Sequence, residues 1–182
     1  MLNSEAGVKS KFVGITGEAI TVEQLALEHY ATENSGNWLG IHCETGIFKM
    51  IFGLFMWDIL FADISDVFQT PFQDAPLDLM TDAFYVSRAG LIEERVMQLV
   101  ETEDIALEIE KAWFHKGEQC HGVYWDNYEM EQLKDIVECL GGKAVGAICK
   151  LLAEDYRSWG AGMPDLLLWK PGESIIKCCL FF

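Results

Sequence analysis

The chain has 182 residues, of which 51% are hydrophobic, so it can build the core of one domain, or of one domain and part of another. Its formal net charge is −16, which excludes attraction of nucleic acid by long-range electrostatics. Any role with nucleic acid must therefore depend on a specific site.

Nothing in the sequence predicts a membrane or secretory location. Residues 1–7 contain neither the basic nor the apolar segment of a signal peptide. The longest apolar run, residues 47–64, contains Lys49 and Asp58 and is interpreted as a core helix, because charges inside a bilayer are costly. Six cysteines without a Cys-x-x-Cys pair favour a reducing compartment inside the cell.

Helical patterns occupy most of the chain. A capping-box pattern at Thr21 begins a helix that extends to about Ala31. The apolar helix over 47–64 follows, and residues 65–78 form a loop. Gly141-Gly142 separates the last two predicted helices as a C-cap. The remaining helices are predicted over residues 79–87, 91–100, 102–114 with Thr102 as N-cap, 128–140 and 143–158.

A β-hairpin is predicted near the C-terminus. Leu166–Trp169 is a buried apolar strand, Lys-Pro-Gly-Glu at 170–173 is a turn, and residues 174–182 are the return strand. The expected fold class is therefore α+β and mostly α-helical, with a helical region followed by a hairpin.

Two acidic residues stand at the starts of predicted elements. Asp165 precedes the first hairpin strand, where a carboxylate is costly unless it has a partner such as a metal ion. Glu44 lies at the N-terminal edge of the apolar helix, where the helix dipole favours an anion. Taken alone, these patterns favour simpler interpretations: a turn or capping aspartate, and a glutamate that stabilises the helix dipole.

Other catalytic and metal motifs are poorly supported. The sequence contains no P-loop, no Gly-x-Gly-x-x-Gly and no Gly-x-Ser-x-Gly, so nucleotide-binding and serine-hydrolase functions have no support. A zinc site is disfavoured because the spacings match no zinc pattern. It would have comprised His42, Cys43, His115, Cys120 and His121.

Several segments in collinear order resemble the C-terminal part of the Fanconi-associated nucleases, in their virus-type replication-repair nuclease domain. The resemblance runs from about residue 20 to 177, and its motifs lie at 40–46, 52–61, 75–84, 139–142, 152–157 and 162–166. It implies a structure-specific DNA nuclease of the PD-(D/E)xK superfamily, with 5′ flap endonuclease and 5′-to-3′ exonuclease activity. It further implies interstrand cross-link repair in the nucleus and dependence on Mg²⁺ or Mn²⁺.

The same resemblance assigns roles to the two acids. Glu44 matches the family's upstream helix glutamate, and Asp165 matches the aspartate of its Pro-Asp element. Both would be catalytic metal ligands, which reverses the simpler interpretations. Hard divalent cations held by carboxylates can neutralise a phosphodiester and acidify the attacking water.

One departure from the family pattern limits what we expect of this chain. The family's Glu-Val-Lys falls, in collinear register, at residues 180–182, where this chain has Leu180 and Phe182 in place of the glutamate and lysine. Glu173 and Lys177 have the wrong spacing to replace them. We therefore expect residues 39–182 to be an incomplete nuclease domain, truncated within its PD-(D/E)xK core after the first hairpin, and residues 1–38 to be a helical leader.

Three functional hypotheses follow. The first is a nuclease by descent with impaired activity, whose full-length relatives bind branched or 5′ flap DNA and which itself binds DNA weakly. The second is a catalytically inactive helical fragment that binds protein partners. The third is an unrelated acidic helical scaffold. None of them involves a membrane.

Overall fold

The computed structural model describes residues 11–43, 46–161, 164–173 and 175–179, and the chain divides into two compact units. The first unit combines residues 1–44 with 164–182, and the second comprises residues 45–163. The architecture is α+β and mostly helical, as predicted. The predicted domain boundary after residue 38 stays a prediction.

The first unit contains two small antiparallel sheets and one helix. Its elements in chain order are β1 (Phe12–Val13), β2 (Ala19–Ile20), α1 (Val22–Tyr30), β3 (Leu39–His42), β4 (Leu166–Lys170) and β5 (Ile175–Cys179). β1 pairs with β2, and the second sheet has the order β3-β4-β5. The Thr21 side chain accepts a hydrogen bond from the Gln24 backbone N–H at 3.3 Å, which confirms the predicted cap of α1.

The predicted hairpin is confirmed, and β4 is the central strand of its sheet. β4 pairs with β5 from Leu166 opposite Cys179 to Lys170 opposite Ile175. The four apolar residues of β4 are at most 3% exposed, and strands pair with both edges of β4. β3 was not predicted, since Leu-Gly-Ile-His is too short and too mixed to show strand alternation.

The second unit is built from helices. They are α2 (Gly46–Phe55), α3 (Trp57–Leu60), α4 (Ala83–Glu101), α5 (Ile105–Ala112), α6 (Met130–Glu154) and α7 (Tyr156–Trp159). α2 is buried on nearly all sides, which confirms that the apolar run belongs to the core. The run is not one helix over 47–64, as predicted: it is interrupted at Met56, continues as α3 and ends at Leu60. Among the described residues, no helix combines the length and the apolar composition that crossing a bilayer requires.

Two further helix predictions need correction, and a third is confirmed. The predicted helices over 79–87 and 91–100 are one helix, α4, which begins at Ala83 and continues through Gly90. The N-cap of α5 is Asp104, whose side chain accepts from the Leu107 N–H at 3.0 Å, and not Thr102. The predicted break at Gly141 is confirmed: its φ of 74° and ψ of 158° are not helical, so α6 consists of two helical segments joined by a kink.

Candidate metal site

Asp165 lies where the sequence places it, directly before the central strand β4. The residue is half-buried. Its backbone carbonyl accepts a hydrogen bond from the Cys43 N–H at 3.0 Å, one residue beyond the His42–Leu166 pair. The pairing of β3 with β4 thus continues to Asp165 and holds the backbone on which this carboxylate is mounted.

Cys43 is the neighbour of Asp165 on the adjacent strand. The thiol is buried, and its Sγ lies 3.8 Å from the Pro164 carbonyl oxygen. Burial, together with the negative charge that Cys178 and Asp165 place nearby, raises the pKa of Cys43 to about 12. A protonated thiol is neutral, so the Asp165 carboxylate is the group at this end of the sheet that suits a hard cation.

Glu44, the second predicted ligand, lies outside the described residues, and its role stays a prediction. The residue before it in the chain is Cys43, whose backbone is bonded to Asp165. Cys43 and Asp165 are far apart in the sequence and are neighbours at the start of β4. Glu44 is the next residue after Cys43 in the chain.

The register of the hairpin is relevant to the two missing family residues. Leu166 pairs with Cys179; in the chain, Asp165 directly precedes the first of these residues and position 180 directly follows the second. The collinear comparison with the nuclease family assigns the missing glutamate to the same position, Leu180. Leu180 and Phe182 are apolar in any conformation and cannot ligate a metal ion; both lie outside the described residues.

Lys177 does not take the place of the missing lysine. It pairs with Leu168, three residues after Asp165. Strand residues an odd number of positions apart face opposite sides of the sheet, so Lys177 and Asp165 belong to opposite faces. This geometry supports the sequence argument that excluded Lys177 on spacing.

The residues present fit part of a magnesium or manganese site. Asp165 supplies one oxygen donor of the kind these ions prefer. Within ranges 11–43, 46–161, 164–173 and 175–179, no group of three or more His, Cys, Asp or Glu side chains is arranged to hold a metal ion. A complete site would need Glu44, and positions 180 and 182 offer no ligand.

The second unit has a surface cleft of about 670 Å³ between α2, α4 and α5. Three of its charged side chains form ion pairs: Arg95 Nη2 lies 2.9 Å from Glu108 Oε2, and Lys111 Nζ lies 2.5 Å from Glu108 Oε1. These ion pairs stabilise the cleft wall, and we assign no ligand to the cleft.

Comparison with known proteins agrees with the resemblance seen in the sequence. Residues 100–177 match the VRR-NUC domain family. The chain is 48% identical over 176 residues to a Fanconi-associated nuclease 1 homolog of Arabidopsis thaliana, covering 95% of this chain and 19% of that protein. It is 39% identical over 176 residues to Fanconi-associated nuclease 1 of Homo sapiens, covering 88% of this chain and 17% of that protein.

A solved structure is also similar. The crystal structure of paFAN1 bound to 5′ flap DNA with a two-nucleotide flap and a gap matches with a TM-score of 0.80 and 27% identity. The match covers 98% of this chain and 33% of that one. The chain thus spans less than a fifth of the two curated relatives above and a third of this solved structure.

Proposed function

The chain is a relative of the Fanconi-associated nucleases and carries a VRR-NUC segment, and on this basis we propose that it contains part of a metal-dependent DNA nuclease centre. Glu44 and Asp165 are the proposed catalytic metal ligands. The observation that carries the proposal is the hydrogen bond from Cys43 to the Asp165 carbonyl, since it joins the residue before Glu44 to the start of β4.

Each proposed residue has a defined task. Asp165, mounted at the end of a central buried strand, contributes a carboxylate from a rigid element. Glu44 contributes the second carboxylate. Mg²⁺ or Mn²⁺ bound there would neutralise the phosphodiester and lower the pKa of the attacking water. We further propose that the parent activity is that of a structure-specific 5′ flap endonuclease and 5′-to-3′ exonuclease, acting in cross-link repair in the nucleus. This finer assignment depends on sequence similarity to longer proteins.

The chain itself is expected to cleave DNA at background rate. The family's glutamate ligand and catalytic lysine correspond to Leu180 and Phe182, so the proposed centre holds two of its four members. A metal ion bound by fewer carboxylates is held more weakly. Because the lysine is missing, its ammonium group is also not available to stabilise the attacking water.

The decisive experiment restores the missing pair. The double variant Leu180→Glu, Phe182→Lys is expected to cleave a fluorescein-labelled duplex with a two-nucleotide 5′ flap in the presence of Mn²⁺, whereas the natural chain does not. Adding Asp165→Asn to the double variant should abolish that activity. Cleavage that survives Asp165→Asn would show that the proposed ligand is not part of the centre.

Metal binding provides a second measurement that does not need activity. Isothermal titration of the natural chain with Mn²⁺ should detect a site that Asp165→Asn or Glu44→Gln weakens on the order of tenfold or more. Glu33→Gln is the matched control, because Glu33 is an exposed acid of the same unit. Equal affinity in Asp165→Asn and Glu33→Gln would refute the ligand assignment.

A second function is favoured by exposed apolar side chains in the second unit. Phe72, Val86 and Phe114 are 86%, 76% and 88% exposed. Exposed apolar side chains mark protein–protein contacts where they form a contiguous patch. The alternative is therefore a catalytically inactive helical fragment that binds a protein partner, and failure of the restored double variant to bind Mn²⁺ would favour it.

A further inference from the structure

Two lysines converge on one buried tryptophan in the first unit. Lys177 Nζ lies 4.2 Å and Lys170 Nζ 5.1 Å from the centroid of the Trp38 ring, which is 7% exposed. We propose that this group, the Trp38 lysine pair, binds a backbone phosphate of DNA. The inference deepens the proposed nuclease function and rests on it for the identity of the anion.

Gly36 lies beside the Trp38 indole and the Lys170 ammonium group. Gly36 has φ +103°, and a side-chain carbon at that position would lie 3.2 Å from Trp38 Nε1 and 3.6 Å from Lys170 Nζ. The missing side chain therefore leaves room for the indole and the Lys170 ammonium. Lys177 approaches the same ring from β5, opposite Leu168, so residues from β4, β5 and the segment before β3 form the group.

Electrostatics favours an anion here despite the acidic chain. Both ammonium groups lie near the same ring centroid, so they are at most about 9 Å apart, and an anion bound near both would relieve their mutual repulsion. Glu173 Oε2 lies 3.5 Å from Lys170 Nζ and offsets part of its charge. The exposed Lys177 is therefore expected to contribute more than Lys170. At ordinary ionic strength the other acidic groups are screened beyond about 10 Å.

The pair lies apart from the cleavage centre, because Lys170 and Lys177 belong to the face of the sheet opposite to that of Asp165. Lys170 follows Asp165 by five strand residues, roughly 17 Å at the rise of a β-strand. Lysine ammonium groups bind phosphate as point charges, without the planar geometry that arginine requires. The pair would thus position the DNA backbone without contacting the reacting phosphate.

Salt dependence of DNA binding tests the inference. The affinity of the 182-residue chain for a fluorescein-labelled duplex with a two-nucleotide 5′ flap is measured by anisotropy over a range of salt concentrations with Mg²⁺ present. Lys177→Gln should reduce the slope of log affinity against log salt by about 1, as expected for one lost phosphate contact. Lys177→Arg should retain the slope, and Lys11→Gln, an exposed lysine of the same unit, should leave it unchanged.

Other results overturn the inference. If the natural chain binds no duplex at low salt, or if Lys177→Gln has the same slope as Lys11→Gln, the pair is not a phosphate site. A lower urea midpoint for Lys177→Gln with an unchanged slope would assign it a packing role on the Trp38 ring alone. Loss of Mn²⁺ binding in Asp165→Asn is measured without DNA, so failure of the metal site and failure of the lysine pair are distinguishable.

Discussion

Alanine at Gly142 should separate two helices of the second unit that the structure places in direct backbone contact. A side-chain carbon added to Gly142 would lie 2.0 Å from the Leu99 carbonyl oxygen and 3.6 Å from the Val100 Cα. Contacts below 3.0 Å are essentially never seen, and the obstacle is backbone, so α4 and α6 must move apart by about 1 Å or more. Leu99 is fully buried, and this movement would loosen its packing. We expect Gly142→Ala to cost about 3 kcal/mol or more in the free energy of unfolding.

Gly90 is the matched control on the partner helix. It is exposed in the middle of α4, and nothing lies within 4 Å of an added side-chain carbon. Gly90→Ala should therefore stabilise by roughly 0.8–1 kcal/mol through helix propensity alone. Urea unfolding followed by far-ultraviolet circular dichroism measures both variants. If Gly142→Ala lies within about 1 kcal/mol of the natural chain, the close approach of α4 and α6 is wrong.

Arg88→Met should cost about 3–5 kcal/mol, because it leaves the largely buried Asp78 carboxylate, now 2.7 Å from Arg88 Nη1, without its cation. Lys150→Gln, which breaks an exposed ion pair, should lower the urea midpoint far less, and an equal effect of the two variants would contradict the buried pair. Burial raises the pKa of Cys149 to about 12, so iodoacetamide should modify the exposed Cys178 and spare Cys149 at neutral and mildly alkaline pH, as peptide mass mapping would reveal. Since unfolding returns that pKa to about 9.0, burial of this thiol should make stability fall as the pH rises from 9 toward 12, and equal labelling of both thiols would refute this.

Local signals in the sequence identified those elements whose causes are local. Thr21 bonds to a backbone N–H three residues away, so the start of α1 was visible from four letters. The Lys-Pro-Gly-Glu turn and the apolar Leu166–Trp169 segment identified the hairpin for the same reason. At α5, by contrast, Thr102 and Asp104 are both good caps, and local sequence could not choose between them.

Elements that depend on distant partners were missed or divided wrongly. The sequence analysis divided α4 into helices over 79–87 and 91–100, yet the helix is continuous, because the buried residues Arg88 and Ile92 on either side of Gly90 anchor one face. β3 has too weak a pattern to be predicted and exists because β4 offers its edge. The convergence of Lys170 and Lys177 on Trp38 was equally invisible, since it depends on the register of three chain segments.

The sequence by itself determined the fold class, the hairpin, the candidate acids Glu44 and Asp165, and the absence of a glutamate and lysine at positions 180 and 182. These follow from residue identity and from short-range periodicity, which are written in consecutive letters. Only the tertiary structure decided that β3 joins the hairpin and that Cys43 bonds to Asp165 across more than a hundred residues of chain. Such pairings arise when a buried central strand must satisfy its backbone groups on both edges, and no local pattern records which segment will do so.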